Sequence, residues 1–373
     1  MLPDPRPYFA ELTDPRRATK NKLHLLGDIV FIVLCAVLSG IEDWVGMEEF
    51  AHAKEEWLRQ YIALPAGIPS HDTLSDVMGR IHPKQFSACF TEWVRSVLPS
   101  LAGEHIAIDG KTLRGSSHYG EGAVHLMSAF ATNARLVLTQ AAVSEKSNEI
   151  TAIPNLLECL DLRGAVISID AMGCQKAIAE QITQARGDYV LALKENQPKL
   201  HDAVATVIQA QDQAARADER ETVDVGRRVE IRRYVLSDRI DLLAEQFPEV
   251  RSWAGLAAFG MVESTRAVQG KVSLERRYFI TSTPSFVRFR ETVRNHWLIE
   301  NAEHWVLDVQ FGEDKNRARK DHSAENLAAV RRMSLNLLHA NVKDKRPIRR
   351  RKLLAALNDR YRASLLFGTQ DAS

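Results

Sequence analysis

The spacing of hydrophobic and polar positions changes near residue 104. Before this point, apolar residues recur at helical spacing, which predicts several helices between about residues 8 and 98. The apolar run from Ile29 to Leu38 predicts a buried helix, because its ten residues are fewer than the roughly 20 that a membrane-spanning helix needs. We therefore predict a helical N-terminal domain over residues 1–100.

After residue 104, short apolar runs bounded by turn residues predict strands, with helical patterns between the later ones. Three strands followed by helix, strand, helix and strand are typical of a mixed α/β sheet of the ribonuclease H type, in which the first and fourth strands lie side by side. We therefore predict a ribonuclease H-like core domain over residues 101–340. The predicted strands are 105–109, 124–131, 135–143, 165–170 and 188–193, and the helices are about 149–160 and 174–186.

Residues from about 198 to 285 interrupt this order. A polar helix near 199–217 is followed by strand-like pieces, which predict a mainly β insertion; helical patterns return at 286–310 and about 322–340. The chain from 341 to 373 is predicted to be a basic tail, either exposed and solvated or in sequence-independent contact with phosphates. The strand-like pieces are 221–225, 229–236, 256–268 and 272–281, and the basic run comprises Lys343, Lys345, Arg346, Arg349, Arg350, Arg351 and Lys352.

Composition narrows the class of protein. The 373 residues are 45% hydrophobic and 26% charged, as expected of a soluble globular protein, and the net charge of +1 requires that any nucleic acid be bound by local patches. The four cysteines form no CxxC pair, which argues against a zinc site and for reduced thiols. The N-terminus has no apolar signal segment, so we predict a cytoplasmic protein.

The candidate chemistry begins with two aspartates at the ends of predicted strands. Asp109 ends the run His105–Asp109, and Asp170 ends the run Ala165–Asp170. Carboxylates at the ends of neighbouring buried strands are costly unless a cation compensates them, so the pair suggests a divalent-metal site. The alternative is that both aspartates only form strand-end turns.

A third carboxylate is expected on a helix. Trp297, Glu300, His304 and Leu307 share one face at helical spacing, so Glu300 is predicted to face inward. Glu303 and Asp308 are its rivals. Two aspartates and a glutamate can hold two Mg²⁺ or Mn²⁺ ions about 3.5–4 Å apart, and such hard oxygen ligands do not favour zinc.

Four ordered motifs now support a resemblance. They are Asp-Gly-Lys-Thr-Leu-Arg-Gly-Ser at 109–116, Ser-Ile-Asp-Ala-Met-Gly-Cys-Gln at 168–175, Leu-Lys-Glu-Asn-Gln at 193–197 and His-Trp-Leu-Ile-Glu-Asn at 296–301. Together they resemble the H-repeat-associated insertion-sequence transposases, a branch of the DDE superfamily, over nearly the whole chain. The resemblance implies Mg²⁺-dependent cutting and joining of DNA, a triad of Asp109, Asp170 and Glu300, action as a homodimer, and a bacterial, nucleoid-associated location.

The chain departs from related transposases around the third acid. Those proteins carry Tyr, Arg and Lys at positions where this chain has Val293, His296 and Leu307, so the phosphate-gripping role of that motif is not carried over. Other basic residues are candidates for DNA contact, although each could be a solvated loop charge. His296 and His304 could also be metal ligands or ordinary core or surface histidines. The DNA-contact candidates are Lys111, Arg114, Lys194, Arg294, His296 and Lys315.

The leading hypothesis is a transposase that cleaves the ends of its mobile element and joins them to target DNA. One alternative is a metal-dependent nuclease without strand transfer. Another is an inactive DNA-binding relic, which the missing Tyr, Arg and Lys pattern keeps open.

Overall fold

The structure is a computed structural model that describes residues 2–17, 22–117, 122–143, 149–194, 196–211, 218–225, 228–268 and 271–368. Its contacts divide the chain into two compact units. The first unit comprises Met1–Ser100, Gly110–Cys159 and Leu298–Ser373, and the second comprises Leu101–Asp109 and Leu160–Trp297. Within the described ranges, no helix is long and apolar enough to cross a membrane.

The first unit begins with six helices. The predicted buried helix is confirmed, since twelve of the thirteen residues of Leu26–Leu38 are buried. The Ser70 side chain accepts a hydrogen bond from the backbone N–H of Thr73 and so caps the fifth helix, and Ser is one of the residues preferred at a helix N-cap. The helices are α1 (Arg6–Phe9), α2 (Leu26–Leu38), α3 (Trp44–Ala53), α4 (Glu55–Leu58), α5 (His71–Arg80) and α6 (Pro83–Arg95).

The rest of the first unit combines a hairpin with C-terminal helices. Strand β1 (His105–Thr112) ends in this unit, where β2 (His125–Ala131) is its neighbour and pairs antiparallel with β3 (Leu136–Val143). Short 3₁₀ turns lie at Arg114–Ser116 and Glu313–Lys315, and a π-helix at Ile299–His304. The helices are α7 (Glu149–Glu158), α12 (Trp305–Gln310), α13 (Ser323–Ala340), α14 (Ile348–Leu357) and α15 (Asp359–Phe367).

The prediction of an exposed basic tail is wrong for part of the run. Arg351 and Lys352 are each only 5% exposed, on a helix that the charge pattern did not predict. The Arg351 guanidinium donates to the carbonyl oxygens of Leu338 and Asn341 at the end of α13, and the Lys352 ammonium lies 3.9 Å from the centre of the Phe311 ring. Long basic side chains can bury their stems and bind terminal helix carbonyls, which anchors α14.

The second unit contains a sheet in the order β1-β4-β5-β9-β8-β7-β6. Strands β1, β4 (Val166–Ile169) and β5 (Asp188–Leu193) are parallel, and β9 (Lys271–Thr281) pairs antiparallel with β5. Its helices are α8 (Lys176–Gln184), α9 (Pro198–Gln211), α10 (Ile240–Gln246) and α11 (Phe286–His296), with 3₁₀ turns at Ala171–Gly173 and Pro248–Ser252.

The strand neighbours confirm the predicted fold class. The first and fourth strands are adjacent, and the order is β3-β2-β1 in the first unit and β1-β4-β5 in the second, as expected of a ribonuclease H-like mixed sheet. The mainly β insertion is also confirmed. Its strands β6 (Asp218–Val225), β7 (Arg228–Ser237), β8 (Ala258–Val268) and β9 extend the sheet beyond β5.

Helix α11 covers the middle of this extended sheet. Phe289 and Val293 on α11 pack in one buried cluster with Val166 of β4 and Val190 of β5, and the rings of Phe279 and Phe289 meet edge to face, 5.7 Å apart. The end of α11 is therefore held beside the parallel strands.

Candidate active site

The two aspartates of the second unit lie beside each other on neighbouring parallel strands. Ile108 of β1 pairs with Ile169 of β4, and Asp109 and Asp170 are the next residues along the chain. Asp170 follows the end of β4, as predicted, whereas the predicted end of the first strand at Asp109 is wrong, because β1 continues to Thr112. Because side chains alternate along a strand, both aspartates continue the face that carries Ala107 and Ser168. Asp109 is half-buried and Asp170 is exposed. The expected cost of burying both carboxylates is therefore reduced by solvent at Asp170.

Two amide side chains hold the loop that follows Asp170. Asn196 donates from Nδ2 to the carbonyl oxygen of Ala171, and Gln197 donates from Nε2 to that of Cys174 at 3.1 Å. Both residues belong to the motif at 193–197, which supported the family resemblance but had no predicted physical role. The structure assigns them the positioning of the loop.

A chain of three polar side chains lies beneath Asp170 on the same face of the sheet. His105 Nε2 and His296 Nδ1 each lie 2.7 Å from the Ser168 hydroxyl oxygen. His105 and Ser168 are only 6% and 4% exposed. We call these three residues the relay. His296 was a candidate from sequence, whereas His105 and Ser168 were missed; the signal was a polar residue inside an apolar strand, which must find a partner.

Both histidines of the relay are held in their neutral form. Burial lowers the pKa of His105 to about 3, with a smaller effect from His296. Burial also lowers the pKa of His296, although the negative charge of Asp170 acts in the opposite direction. The relay is therefore a neutral cluster, built from groups that donate and accept hydrogen bonds without net charge.

In the first unit, a second polar cluster surrounds the residue after Asp109. A Cβ atom at Gly110 would lie 2.4 Å from His125 Nε2 and 2.7 Å from Glu149 Oε1, so a side chain cannot fit there without displacement. His125 Nε2 lies 2.8 Å from Glu149 Oε1, and its Nδ1 lies 2.9 Å from the Thr112 hydroxyl. A side chain at the glycine of the Asp-Gly-Lys motif would therefore displace the His125–Glu149 pair.

Lys111 does not fit either of its predicted roles. It is 7% exposed, which argues against a solvated loop charge and against contact with DNA. Its ammonium lies 2.5 Å from Asp308 Oδ1, 3.1 Å from Asp314 Oδ1 and 3.7 Å from Glu313 Oε2. Sequence reasoning treated the lysine as exposed because its three carboxylate partners lie about two hundred residues away along the chain.

The rivals of Glu300 have structural partners in the first unit. Glu303 is fully buried and accepts a hydrogen bond of 2.9 Å from Arg332 Nε, and Asp308 pairs with Lys111. Arg332 also lies 3.2 Å from Glu313. Each rival acid is therefore accounted for by an ion pair and needs no catalytic role to explain its position. Lys111, Glu303, Asp308, Glu313, Asp314, Arg331 and Arg332 are called the charged network below.

The predicted inward face around Glu300 is wrong. Glu300 is exposed, Trp297 is 37% exposed, and only Leu307 of the predicted set is fully buried. The reason is the π-helix Ile299–His304, whose wider turn breaks the 3.6-residue spacing that the prediction assumed. Such π segments occur frequently at functional sites.

The remaining candidates for DNA contact are mostly at the surface. The Arg114 side chain is 83% exposed, with Nε 3.5 Å from Asp314 Oδ2. Lys194, Arg294 and Lys315 are exposed, and His296 is half-buried. Of the six candidates, only Lys111 is excluded by burial.

The donor chemistry where the pairing of β1 with β4 ends suits a hard cation. Asp109 and Asp170 offer carboxylate oxygens, the ligands that Mg²⁺ and Mn²⁺ prefer. The donor atoms of the two aspartates therefore suit such an ion. In the described parts of the chain, however, no three His, Cys, Asp or Glu side chains are grouped closely enough to hold a metal ion.

Comparison with known proteins decides the family. The model of the Transposase DDE domain matches residues 101–337. The chain belongs to the DDE transposase family. A second family model, described as DDE_Tnp_1-associated, matches residues 7–94. The predicted resemblance is therefore confirmed.

Relatives of this family match over most of their length. An uncharacterised protein from the dhlA 3′ region of Xanthobacter autotrophicus is 50% identical over 76% of this chain and 95% of its own. Putative transposase YncI of Escherichia coli O157:H7 is 39% identical, over 95% of this chain and 92% of its own. H repeat-associated putative transposase YhhI of Escherichia coli K12 is 38% identical, over 97% of each chain.

Proposed function

We propose that this chain is a DNA transposase that cleaves the ends of an insertion sequence and joins them to target DNA. The observation that carries the proposal is the pair Asp109 and Asp170, which follow the paired residues Ile108 and Ile169 of two parallel strands in a family of DDE transposases. Glu300 is proposed as the third acid. Its rivals Glu303 and Asp308 are occupied by Arg332 and Lys111.

The proposed chemistry is in-line phosphoryl transfer in two steps. In the first, a water oxygen forms a bond to phosphorus and the P–O3′ bond breaks, which frees a 3′-hydroxyl. In the second, that hydroxyl forms a bond to a phosphorus of the target strand and displaces its 3′ oxygen. Two bound Mg²⁺ or Mn²⁺ ions would activate the attacking oxygen and neutralise the leaving one.

The chain's own residues have separable tasks in this proposal. Asp109, Asp170 and Glu300 would hold the ions, and Asn196 and Gln197 fix the loop after Asp170. Arg114, Lys194, Arg294, His296 and Lys315 are proposed to contact phosphates; Lys111 is no longer among them. We also propose action as a homodimer and a cytoplasmic, nucleoid-associated location, as the family resemblance implies.

The test is cleavage and joining of a DNA duplex that carries the sequences flanking this gene, in the presence of Mg²⁺. We expect Asp109→Asn, Asp170→Asn and Glu300→Gln each to lower the cleavage rate at least about 100-fold. Matched controls are Asp202→Asn and Glu291→Gln, which alter exposed acids and should leave the rate unchanged.

The alternatives predict different products. Cleavage without joining would indicate a nuclease that does not transfer strands. No cleavage, together with no Mn²⁺ binding by calorimetry when DNA is present, would indicate an inactive relic. Activity that survives in all three acid variants would contradict the site assignment.

A further inference from the structure

The relay of the second unit bears on how a DNA phosphate would be bound, an inference that rests on the function proposed above. The Ser168 hydroxyl oxygen lies 2.7 Å from a ring nitrogen of each histidine. A hydroxyl carries one proton, so it can donate to only one of the two nitrogens and must accept N–H from the other. The tautomers of His105 and His296 are therefore linked through Ser168.

Geometry leaves one nitrogen of His296 available. Its Nδ1 faces Ser168, and among the described residues its Nε2 has no recorded hydrogen-bond partner. His296 is the last residue of α11 and follows Val293 by three positions, which places it on the packed side of the helix near the carboxyl ends of the strands. Ser168 precedes Asp170 by two positions, so both point to the same face of the sheet.

The neighbourhood favours a proton on the free nitrogen. The carboxylate of Asp170 acts electrostatically on His296, outweighs the smaller opposing effect of the Arg277 guanidinium, and attracts the positive N–H edge of the ring. When Ser168 donates to Nδ1, the proton of the neutral ring resides on Nε2, and His105 completes the relay by donating from its own Nε2 to Ser168. The opposite arrangement would leave His296 Nε2 as an acceptor, which cannot bind a phosphate oxygen.

We propose that His105 and Ser168 are positioning residues that hold His296 in its Nε2–H tautomer, so that this N–H donates to a phosphate oxygen of the DNA beside Asp170. A fixed donor costs no reorganisation when phosphate arrives, and such preorganisation is a large part of catalysis by hydrogen-bond donors. His296 would thereby take over part of the role that arginine has in related transposases.

The first measurement needs neither DNA nor activity. The full chain with isotope-labelled histidine is studied by long-range nitrogen–proton NMR correlation at neutral pH without metal. We expect His296 to carry its proton on Nε2 in the wild type, to become a mixture of tautomers in Ser168→Ala, and to return to Nε2–H in Ser168→Thr. A proton on Nδ1 in the wild type, or an unchanged tautomer in Ser168→Ala, would overturn the relay.

The chain offers a matched control in the same unit. The Ser282 hydroxyl accepts a 3.0 Å hydrogen bond from the Tyr189 N–H and donates a 2.8 Å one to Asp188. Ser282→Ala thus loses two comparable hydrogen bonds at the opposite end of β5. It should leave the tautomer of His296 unchanged, so a change there would mean that the effect is merely loss of stability.

The second measurement tests the phosphate contact. On adding a duplex with the sequences flanking this gene, we expect the Nε2 proton of His296 to shift in the wild type and not in Ser168→Ala. We expect His296→Ala to lower the cleavage rate about 10- to 100-fold, and His296→Gln, which keeps an N–H near Nε2, to recover most of it. DNA binding without a shift at His296 would overturn the phosphate contact.

The two proposals fail in distinguishable ways. If the wild type binds the duplex but does not cleave it, the cleavage function fails while the tautomer and the proton shift still test the relay. If cleavage is normal and His296→Ala is as fast as the wild type, the relay proposal fails alone.

Discussion

The relay and the charged network use buried polar groups in opposite ways. The relay, in the second unit, joins two neutral imidazoles through one hydroxyl. The charged network, in the first unit, buries Glu303 and Arg332 completely and surrounds Lys111 with carboxylates. Neutral hydrogen bonds contribute modestly and depend on geometry, whereas a buried charge is costly if its partner is removed. The charged network should therefore contribute more to the free energy of unfolding, whereas the relay should mainly determine the tautomer of His296.

The largest expected effect is on the charged network. Arg332→Met leaves Glu303 buried without its cationic partner and removes one of the cations around Glu313, and breaking a buried pair costs about 3–5 kcal/mol. We expect the free energy of unfolding, measured in urea, to fall by that amount. Arg349→Met is the matched control, because Arg349 is exposed and its loss should change stability by less than about 0.5 kcal/mol. Equal effects of the two variants would contradict the comparison.

The second prediction uses pH to isolate the relay. Burial lowers the pKa of His105 to about 3, below its ordinary 6.5. As the pH falls through 6.5, His105 therefore becomes protonated in the unfolded chain but stays neutral in the folded chain. The free energy of unfolding is unaffected by this histidine above pH 6.5 and decreases as the pH falls from 6.5 towards 3. Between pH 7 and pH 5 the loss amounts to about 2 kcal/mol.

His105→Gln removes this titration. We expect its free energy of unfolding, from urea titrations at pH 7 and pH 5, to change by about 2 kcal/mol less than that of the wild type. His52→Gln, which alters an exposed histidine, should retain the full dependence. Parallel pH profiles for the wild type and His105→Gln would show that the ring is charged or accessible in the folded chain.

Sequence reasoning reached the parts of the candidate site that local pattern determines. Asp109 and Asp170 stand out because apolar runs that stop on a carboxylate are visible without tertiary contacts, although β1 itself continues to Thr112. It misjudged Glu300, because a π turn changes the helical period, and Lys111, because its partners are distant in sequence. It missed His105 and Ser168, whose pairing depends on the register between β1 and β4. Tertiary contacts, not local propensity, determine the surroundings of Lys111, His105 and Ser168.

A smaller effect is expected at the more open end of the charged network. Lys111→Met removes the ammonium from Asp308 and Asp314, which are 34% and 25% exposed, so solvent should limit the loss to about 1–2 kcal/mol at pH 7. Burial raises the pKa of Asp308, and Lys111 opposes that shift. Without Lys111, the aspartate should be protonated at a higher pH.

The sign of the pH dependence follows from that shift. A carboxylate whose folded pKa is raised stabilises the fold below its ordinary pKa, and this stabilisation is lost as the pH rises through the folded value. The deficit of Lys111→Met in urea unfolding should therefore shrink as the pH is lowered from 7 to 4. Lys315→Met, at an exposed lysine, should show no deficit at either pH. A constant deficit would mean that Asp308 is not coupled to Lys111.

The smallest expected change in stability is at the surface of α14, and it separates anchoring charges from contact charges. Arg349 and Arg350 are exposed, whereas Arg351 and Lys352 are buried in contacts with α13 and Phe311. The double variant Arg349→Gln/Arg350→Gln should change the free energy of unfolding by less than about 0.5 kcal/mol.

The same double variant tests contact with DNA. If both arginines contact phosphates, DNA affinity should fall. In a plot of the logarithm of the binding constant against the logarithm of the salt concentration, the magnitude of the slope should decrease by about 1.8. Arg351→Gln should do the reverse: it should lower stability, because the carbonyls at the end of α13 lose their donor, and leave the salt slope unchanged. A double variant with an unaltered slope would assign these two charges to solvent alone.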